Sequence, residues 1–204
     1  EDLGTFEQWV QDVLAARGIM GTSILWFERS PSVDGPRHQG EYRTLALSSV
    51  TTHDLPPTAG YLYGEHIALR DRLGLLIRDT ETENSEDLAW QNRILARISE
   101  YGLFDGTALD GHDFDGAARD ERGDITDLLV AMHRYIAGTP SALTCTSLVD
   151  MVGDIKAQNQ PGTTHDLYPN WCIPLCDAAN TPILVHDLPA LPLFRAVAEA
   201  SRRR

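Results

Sequence analysis

Apolar residues recur along this chain with two spacings, and each predicts a different element. Phe6, Trp9, Val10, Val13 and Leu14 repeat at helical intervals until Gly18 ends the pattern, which predicts a first helix. Residues 22–27 (Thr-Ser-Ile-Leu-Trp-Phe) form a short apolar run suited to a strand buried on both faces. Residues 29–42, rich in proline, glycine and charge, read as a loop. A second buried strand is predicted over 44–50, running directly into Thr51-Thr52-His53-Asp54-Leu55-Pro56-Pro57. Residues 65–101 read as helices with Leu69, Leu73, Leu76, Leu88, Ile94, Leu95 and Ile98 turned inward. Another helix is predicted over 124–137, a third strand over 142–148, and a last helix over 190–201. The stretch between them, from Asp150 through Pro174, is irregular.

Strand, loop, strand, helices, strand, loop, helix is an alternating order. It predicts the α/β class, with a parallel sheet covered by helices and a mostly helical excursion over 65–137. Polar residues at the carboxyl end of a buried strand, stopped by two prolines, are what a catalytic loop on such a scaffold requires.

Composition narrows the partners. The 204 residues fit one domain, and no apolar stretch approaches the roughly 18 residues of a membrane span. The net charge of −13 repels phosphate backbones and anionic lipid headgroups, which disfavours nucleic acid and membranes as partners. No phosphate-binding glycine fingerprint follows any predicted strand. Three cysteines, Cys145, Cys172 and Cys176, leave one over in any pairing, which suits a reducing cytoplasm. Cys172 and Cys176 have only His165 nearby, too few ligands for a closed zinc site. From Asp79 to Asp127 there are 14 acids against four arginines, the pattern of a solvated helical surface. Within it, Asp110-Gly-His-Asp-Phe-Asp-Gly lacks the spacing and terminal glutamate of a calcium loop. No metal site is expected.

Three clusters carry candidate chemistry: Glu1-Asp2, His53-Asp54, and Asn159-Gln160-Pro161-Gly162-Thr163 with Asn170-Trp171. Singly, each has a plain alternative: a charged chain end, a polar turn before prolines, ordinary turn chemistry, a packing tryptophan. Together they supply two carboxylates, an imidazole, amides and an aromatic face. That set suits glycosyl transfer, in which one carboxyl protonates the leaving oxygen and polar groups hold sugar hydroxyls.

The run Glu1-Asp-Leu-Gly4, then Gly21-Thr-Ser-Ile-Leu-Trp-Phe-Glu28, Val50-Thr-Thr-His-Asp-Leu-Pro56 and Asn159-Gln-Pro-Gly-Thr163 followed by Asn170-Trp171 resembles the 4-alpha-glucanotransferases, the amylomaltases of glycoside hydrolase family 77. The resemblance covers nearly the whole chain, in order. It implies the carboxyl-terminal half of a catalytic (β/α)8 TIM barrel, spanning 1–204 and entered at the end of the fifth strand. It implies a retaining transfer of α-1,4-glucan segments between maltooligosaccharides, without a cofactor.

By the same resemblance, Glu1 is the general acid/base and Asp54 the carboxylate that holds the donor sugar's 2- and 3-hydroxyls. His53 touches the same sugar, and Asn159, Pro161, Gly162, Asn170 and Trp171 line the acceptor side. Trp26 and Asp150 have two readings each: cleft lining, or core packing and loop capping. The family's nucleophile is an aspartate upstream of Glu-Asp-Leu-Gly, before Glu1. The chain, which has no initial Met, is therefore expected to be part of a longer enzyme, inactive alone and paired with an amino-terminal half. An α-glucan hydrolase and a non-catalytic carbohydrate-binding fragment are the alternatives.

Overall fold

The computed structural model describes residues 7–203. Helix α1, Gln8–Ala16, forms where the first apolar stripe predicts it but buries none of its residues. Trp9 is 63% exposed, so the stripe lies open along the described surface. Strand β1, Gly21–Ile24, is shorter than the predicted 22–27, because Leu25–Phe27 turn into a single 3-10 helix. Leu25 and Trp26 of that turn are both buried in the core.

Strand β2, Ala46–Ser49, is followed by α2, Thr58–Tyr63, and α3, Glu65–Arg72, joined at Gly64 in a left-handed conformation. The helical excursion thus begins at 58, not 65. Pro57 is the N-cap residue of α2, its fixed φ aligned with a helix start, so the double proline ends one element and opens the next. The long helices α4, Thr80–Ser99, and α5, Ile125–Ala137, are each opened by an acid. Asp79 accepts from the Thr82 amide at 2.8 Å and Asp124 from the Thr126 amide at 2.6 Å. Strand β3, Leu143–Cys145, then α6, Leu148–Val152, and α7, Pro192–Ala200, complete the chain.

The three strands form one parallel sheet in the order β1-β2-β3, with Thr22 opposite Leu47 and Ser48 opposite Thr144. Because all run the same way, their carboxyl ends emerge together. Strand β2 is central and closed in. Strands β1 and β3 are the two edges, and Leu143 of β3 is 47% exposed.

Helices α4 and α5 hold the main core over the sheet. Ile94, Leu95 and Ile98 from α4 meet Leu128, Met132 and Tyr135 from α5, with Trp26 and Leu62 reaching in. The predicted inward positions Leu73, Leu76 and Leu88 are only half-buried. Arg122 is 1% exposed here; it donates to Gln91 Oε1 at 2.8 Å and to the Leu62 carbonyl, and burial pushes its guanidinium down to about 10. A second, smaller cluster of Ala59, Leu129 and Val197 joins α2, α5 and α7, with Ile155 against it.

Candidate active site

The loop after β2 is built by its own short polar side chains. Ser49 Oγ donates to the Thr51 carbonyl at 2.8 Å, and Thr51 Oγ1 donates to the Pro56 carbonyl at 3.0 Å, closing the neck of the loop. At its tip the Asp54 amide donates to Thr52 Oγ1 at 3.3 Å, a local turn that lifts the Asp54 carboxylate outward. His53 and Asp54 side chains are 60% and 44% exposed, with His53 Nε2 at 3.4 Å from Asp54 Oδ2.

A second loop, 105 residues further on, meets this tip. Asn159 Nδ2 donates to Asp54 Oδ1 at 2.7 Å. The Trp171 indole lies 5.9 Å from the His53 ring, centroid to centroid, tilted by 39°. Trp171 is 58% exposed and adopts φ +61°, a left-handed backbone unusual for a bulky residue. Its amide donates to the Gln158 carbonyl at 2.8 Å, which holds it there. His53, Asp54, Asn159 and Trp171 therefore converge on one open surface. The Asn159 amide fixes one carboxylate oxygen, and the other retains capacity to accept hydroxyl hydrogen bonds.

The other loop candidates shape the loop itself; Pro161 and Gly162 are exposed and Asn170 half-buried. Gln160–Thr163 is a turn in which the Thr163 amide donates to the Gln160 carbonyl at 3.3 Å, with Pro161 second and Gly162, φ +83°, third. That is type II geometry, which needs glycine or asparagine at the third place. Asn170 spends its amide within the loop, accepting from the Gln160 amide at 2.8 Å and donating to Thr163 Oγ1 at 2.9 Å. Glu1 lies outside the described residues.

Trp26 and Asp150 take the second of their two readings. Trp26 is 2% exposed and stacks on Tyr61 at 4.4 Å, which in turn stacks on His66 at 4.1 Å. Asp150 is wholly buried and caps α2 from outside. Its Oδ1 accepts from the Thr58 amide at 2.7 Å and its Oδ2 from Thr58 Oγ1 at 2.6 Å, with His133 Nε2 at 3.1 Å.

Residues 1–178 match the profile of the family described as 4-alpha-glucanotransferase, glycoside hydrolase family 77. The chain belongs to this family. The 4-alpha-glucanotransferases of Mycobacterium bovis and Mycobacterium tuberculosis strain H37Rv are each 43% identical to it over 205 residues, covering 99% of this chain and 26% of their own length. The crystal structure of amylomaltase from Corynebacterium glutamicum is 59% identical and superposes with a TM-score of 0.93, over all of this chain and 28% of that one. Amylomaltase from Streptococcus agalactiae, in complex with acarbose, shares the fold alone at 17% identity and a TM-score of 0.52, over all of this chain and 32% of that one. The chain thus spans about a quarter of the length of the curated relatives it matches.

One residue of this family member escaped the sequence reading. Asp154 is wholly buried, with Oδ1 accepting from the Lys156 amide at 3.0 Å and Oδ2 from the Cys176 amide at 3.2 Å. Burial raises its carboxyl above the ordinary range, and the backbone amides pull the other way. A signal for it exists in the sequence. An acid directly after the Gly153 cap of α6 sits at the carbonyl end of a helix, where the backbone dipoles disfavour it. Among the described residues no cluster of three or more His, Cys, Asp or Glu side chains is arranged to hold a metal ion. No helix among them is long and apolar enough to cross a membrane.

Proposed function

We propose that this chain is the carboxyl-terminal part of the (β/α)8 catalytic barrel of a 4-alpha-glucanotransferase, acting on maltooligosaccharides and other α-1,4-glucans. The observation that carries the reading is the meeting of Asp54, His53, Asn159 and Trp171 at the carboxyl edge of a parallel sheet. These residues come from two motifs over a hundred positions apart, and their chemistry suits a sugar: a carboxylate for vicinal hydroxyls, an imidazole beside it, and an indole face for a pyranose ring.

In this reading Glu1 protonates the leaving 4-oxygen, and the glucan is held covalently by an aspartate nucleophile upstream of Glu1. Glu1 then takes the proton of the acceptor's 4-hydroxyl as that oxygen attacks, which returns the original anomeric configuration. Asp54 binds the donor sugar's 2- and 3-hydroxyls through hydrogen bonds that strengthen as the ring distorts. His53 touches the same sugar. Trp171 and Asn159 form the acceptor side, and Asn170, Pro161 and Gly162 hold that loop in shape. No step calls for a cofactor. The amino-terminal half of the same enzyme is the partner of the open strand β3 and of the bare stripe of α1. Three unpaired thiols suit a reducing cytoplasm.

The test is a product assay. The full-length enzyme incubated with maltotriose should release glucose and longer oligomers together, and the 204-residue chain alone should release neither. Glucose and maltose without longer products would replace transfer with hydrolysis. Turnover by the isolated chain would overturn the assignment of a nucleophile upstream of Glu1.

A further inference from the structure

We infer that α6 is the positioning element of the site, its two buried acids Asp150 and Asp154 setting the distance between the loop that carries Asp54 and the loop that carries Asn159 and Trp171. The inference rests on the roles proposed above for those residues.

Asp150 lies within this short helix and Asp154 directly after its Gly153 cap, and each is spent on a different loop. Asp150 binds both the amide and the hydroxyl of Thr58, the residue just after Pro57 and four after Asp54. Pro57 has no side chain able to cap α2, so the cap comes from α6 instead. His133 from α5 buttresses the same carboxylate at 3.1 Å, which fixes Asp150 to the main helical layer. Asp154 gathers the base of the second loop by binding the amides of Lys156 and Cys176, twenty residues apart. Gln158 Nε2 also lies 3.5 Å from Asp154 Oδ2, and the Gln158 carbonyl receives the Trp171 amide.

A third contact ties the two halves together. Gly60 of α2 packs against the Ile155 backbone so closely that an added Cβ would stand 2.2 Å from the Ile155 carbonyl oxygen. The Asp54 loop and the Asn159 loop are therefore both fastened to one rigid seam, by groups with no solvent to adjust them. The hydrogen bond from Asn159 to Asp54 is the outcome of that registration. Small displacements at such a seam matter, because misplacing a catalytic group by about 1 Å can lower a rate by on the order of 100-fold.

Asp154→Asn in the full-length enzyme tests this. The variant preserves shape, but the two backbone N–H groups bind different carboxylate oxygens, and asparagine replaces one of these with an NH2 donor, so one anchor is lost. With maltotriose as donor and labelled glucose as acceptor, the KM for acceptor should rise about tenfold while kcat at saturating acceptor changes less than about twofold, and hydrolysis should gain on transfer. A purely structural role would lower the melting temperature and the active fraction, leaving KM and the product ratio alone. That result overturns the inference. If Asp154→Asn does not fold, Thr58→Val decides. It removes a single hydrogen bond from Asp150 and should lower kcat about tenfold at unchanged acceptor KM; wild-type kinetics from a folded Thr58→Val would overturn the proposal. Asp54→Asn is run beside them. Near-normal turnover there defeats the role assigned to Asp54, whereas an inactive Asp54→Asn with wild-type Asp154→Asn and Thr58→Val defeats only the role of α6.

Discussion

The helical layer of α4 and α5 and the loop over 153–184 are held by opposite means. In the layer, fully buried Ile94, Leu95, Ile98, Leu129 and Met132 carry the packing, and the buried Arg122 beside them donates to Gln91 and to the Leu62 carbonyl. In the loop the only buried apolar side chains are Ala157 and Cys176, and the fixed points are Asp154, Asn170 and backbone amides. Apolar burial is non-directional and tolerates small shifts, whereas hydrogen bonds to a buried carboxylate define positions. A site that must hold Asn159 2.7 Å from Asp54 is better served by the second kind of fastening.

Breaking the two regions should give different signatures. The largest effect is expected at the site itself: Asp54→Asn in the full-length enzyme should lower kcat for maltotriose by about three orders of magnitude, about 4 kcal/mol of lost transition-state binding, with an unchanged unfolding midpoint. A variant within tenfold of wild type would remove Asp54 from the chemistry. Next comes the layer. Ile98→Ala leaves a cavity under α5 and should cost about 3 kcal/mol of stability in denaturant titration, while activity per folded molecule stays within about twofold. A drop in KM or kcat beyond that would mean the layer and the loop are coupled.

Trp171 separates strain from function within the loop. Glycine adopts positive φ freely, so Trp171→Gly should be about 1 kcal/mol more stable than Trp171→Ala, and both should raise KM for maltooligosaccharides by about tenfold through loss of the ring face. Equal stability of the two variants would remove the strain argument. The smallest effect belongs to an exposed stretch held by charge. Ser32 Oγ at 2.5 Å from Glu41 Oε1, with the His38 amide at 3.0 Å from Oε2, holds the Glu41 carboxyl down at about 2 against an ordinary 4.5. A depressed carboxyl stabilises the fold above its unfolded value and loses that contribution as pH falls through the folded one. Glu41→Gln should therefore be slightly less stable than wild type at pH 7, by under about 1 kcal/mol, and the gap should close between pH 4.5 and about 2. A gap that persists below that range would point to shape, not charge.

The same contrast decided what was legible in the sequence. Helices α4 and α5 were, because a buried stripe on a long helix repeats. Helix α2 was not, since six residues behind two prolines show no period. Strand β1 was overextended because Leu25 and Trp26 are both apolar, and only tertiary packing tells that both turn inward. At the site, His53, Asp54, Asn159 and Trp171 were visible through a family pattern, and the structure brings those four together. For Asp150 loop capping was one of two readings, but the partners of the anchors were hidden. Asp150 meets Thr58 across 92 positions and Asp154 meets Cys176 across 22, and no local periodicity encodes either pairing. Asn170, Pro161 and Gly162 were visible as a group, but only three-dimensional geometry reveals that they address their own backbone.

Backbone anchoring has a consequence for natural variation in the loop. Asp154 and Asn170 hold main-chain amides, which every residue except proline presents, together with the side chains of Gln158 and Thr163, so the outward side chains at 164–167 take no part in what holds the loop. All four, Thr164, His165, Asp166 and Leu167, are exposed. Substitution there leaves the attachment points untouched, whereas a change on the inner face of α4 disturbs the layer at once. Descendants of this sequence are free to try new surfaces beside Trp171 without first rebuilding the scaffold. Divergence in substrate preference is expected to collect in this stretch, and sequence drift in α4 to stay on its outer face.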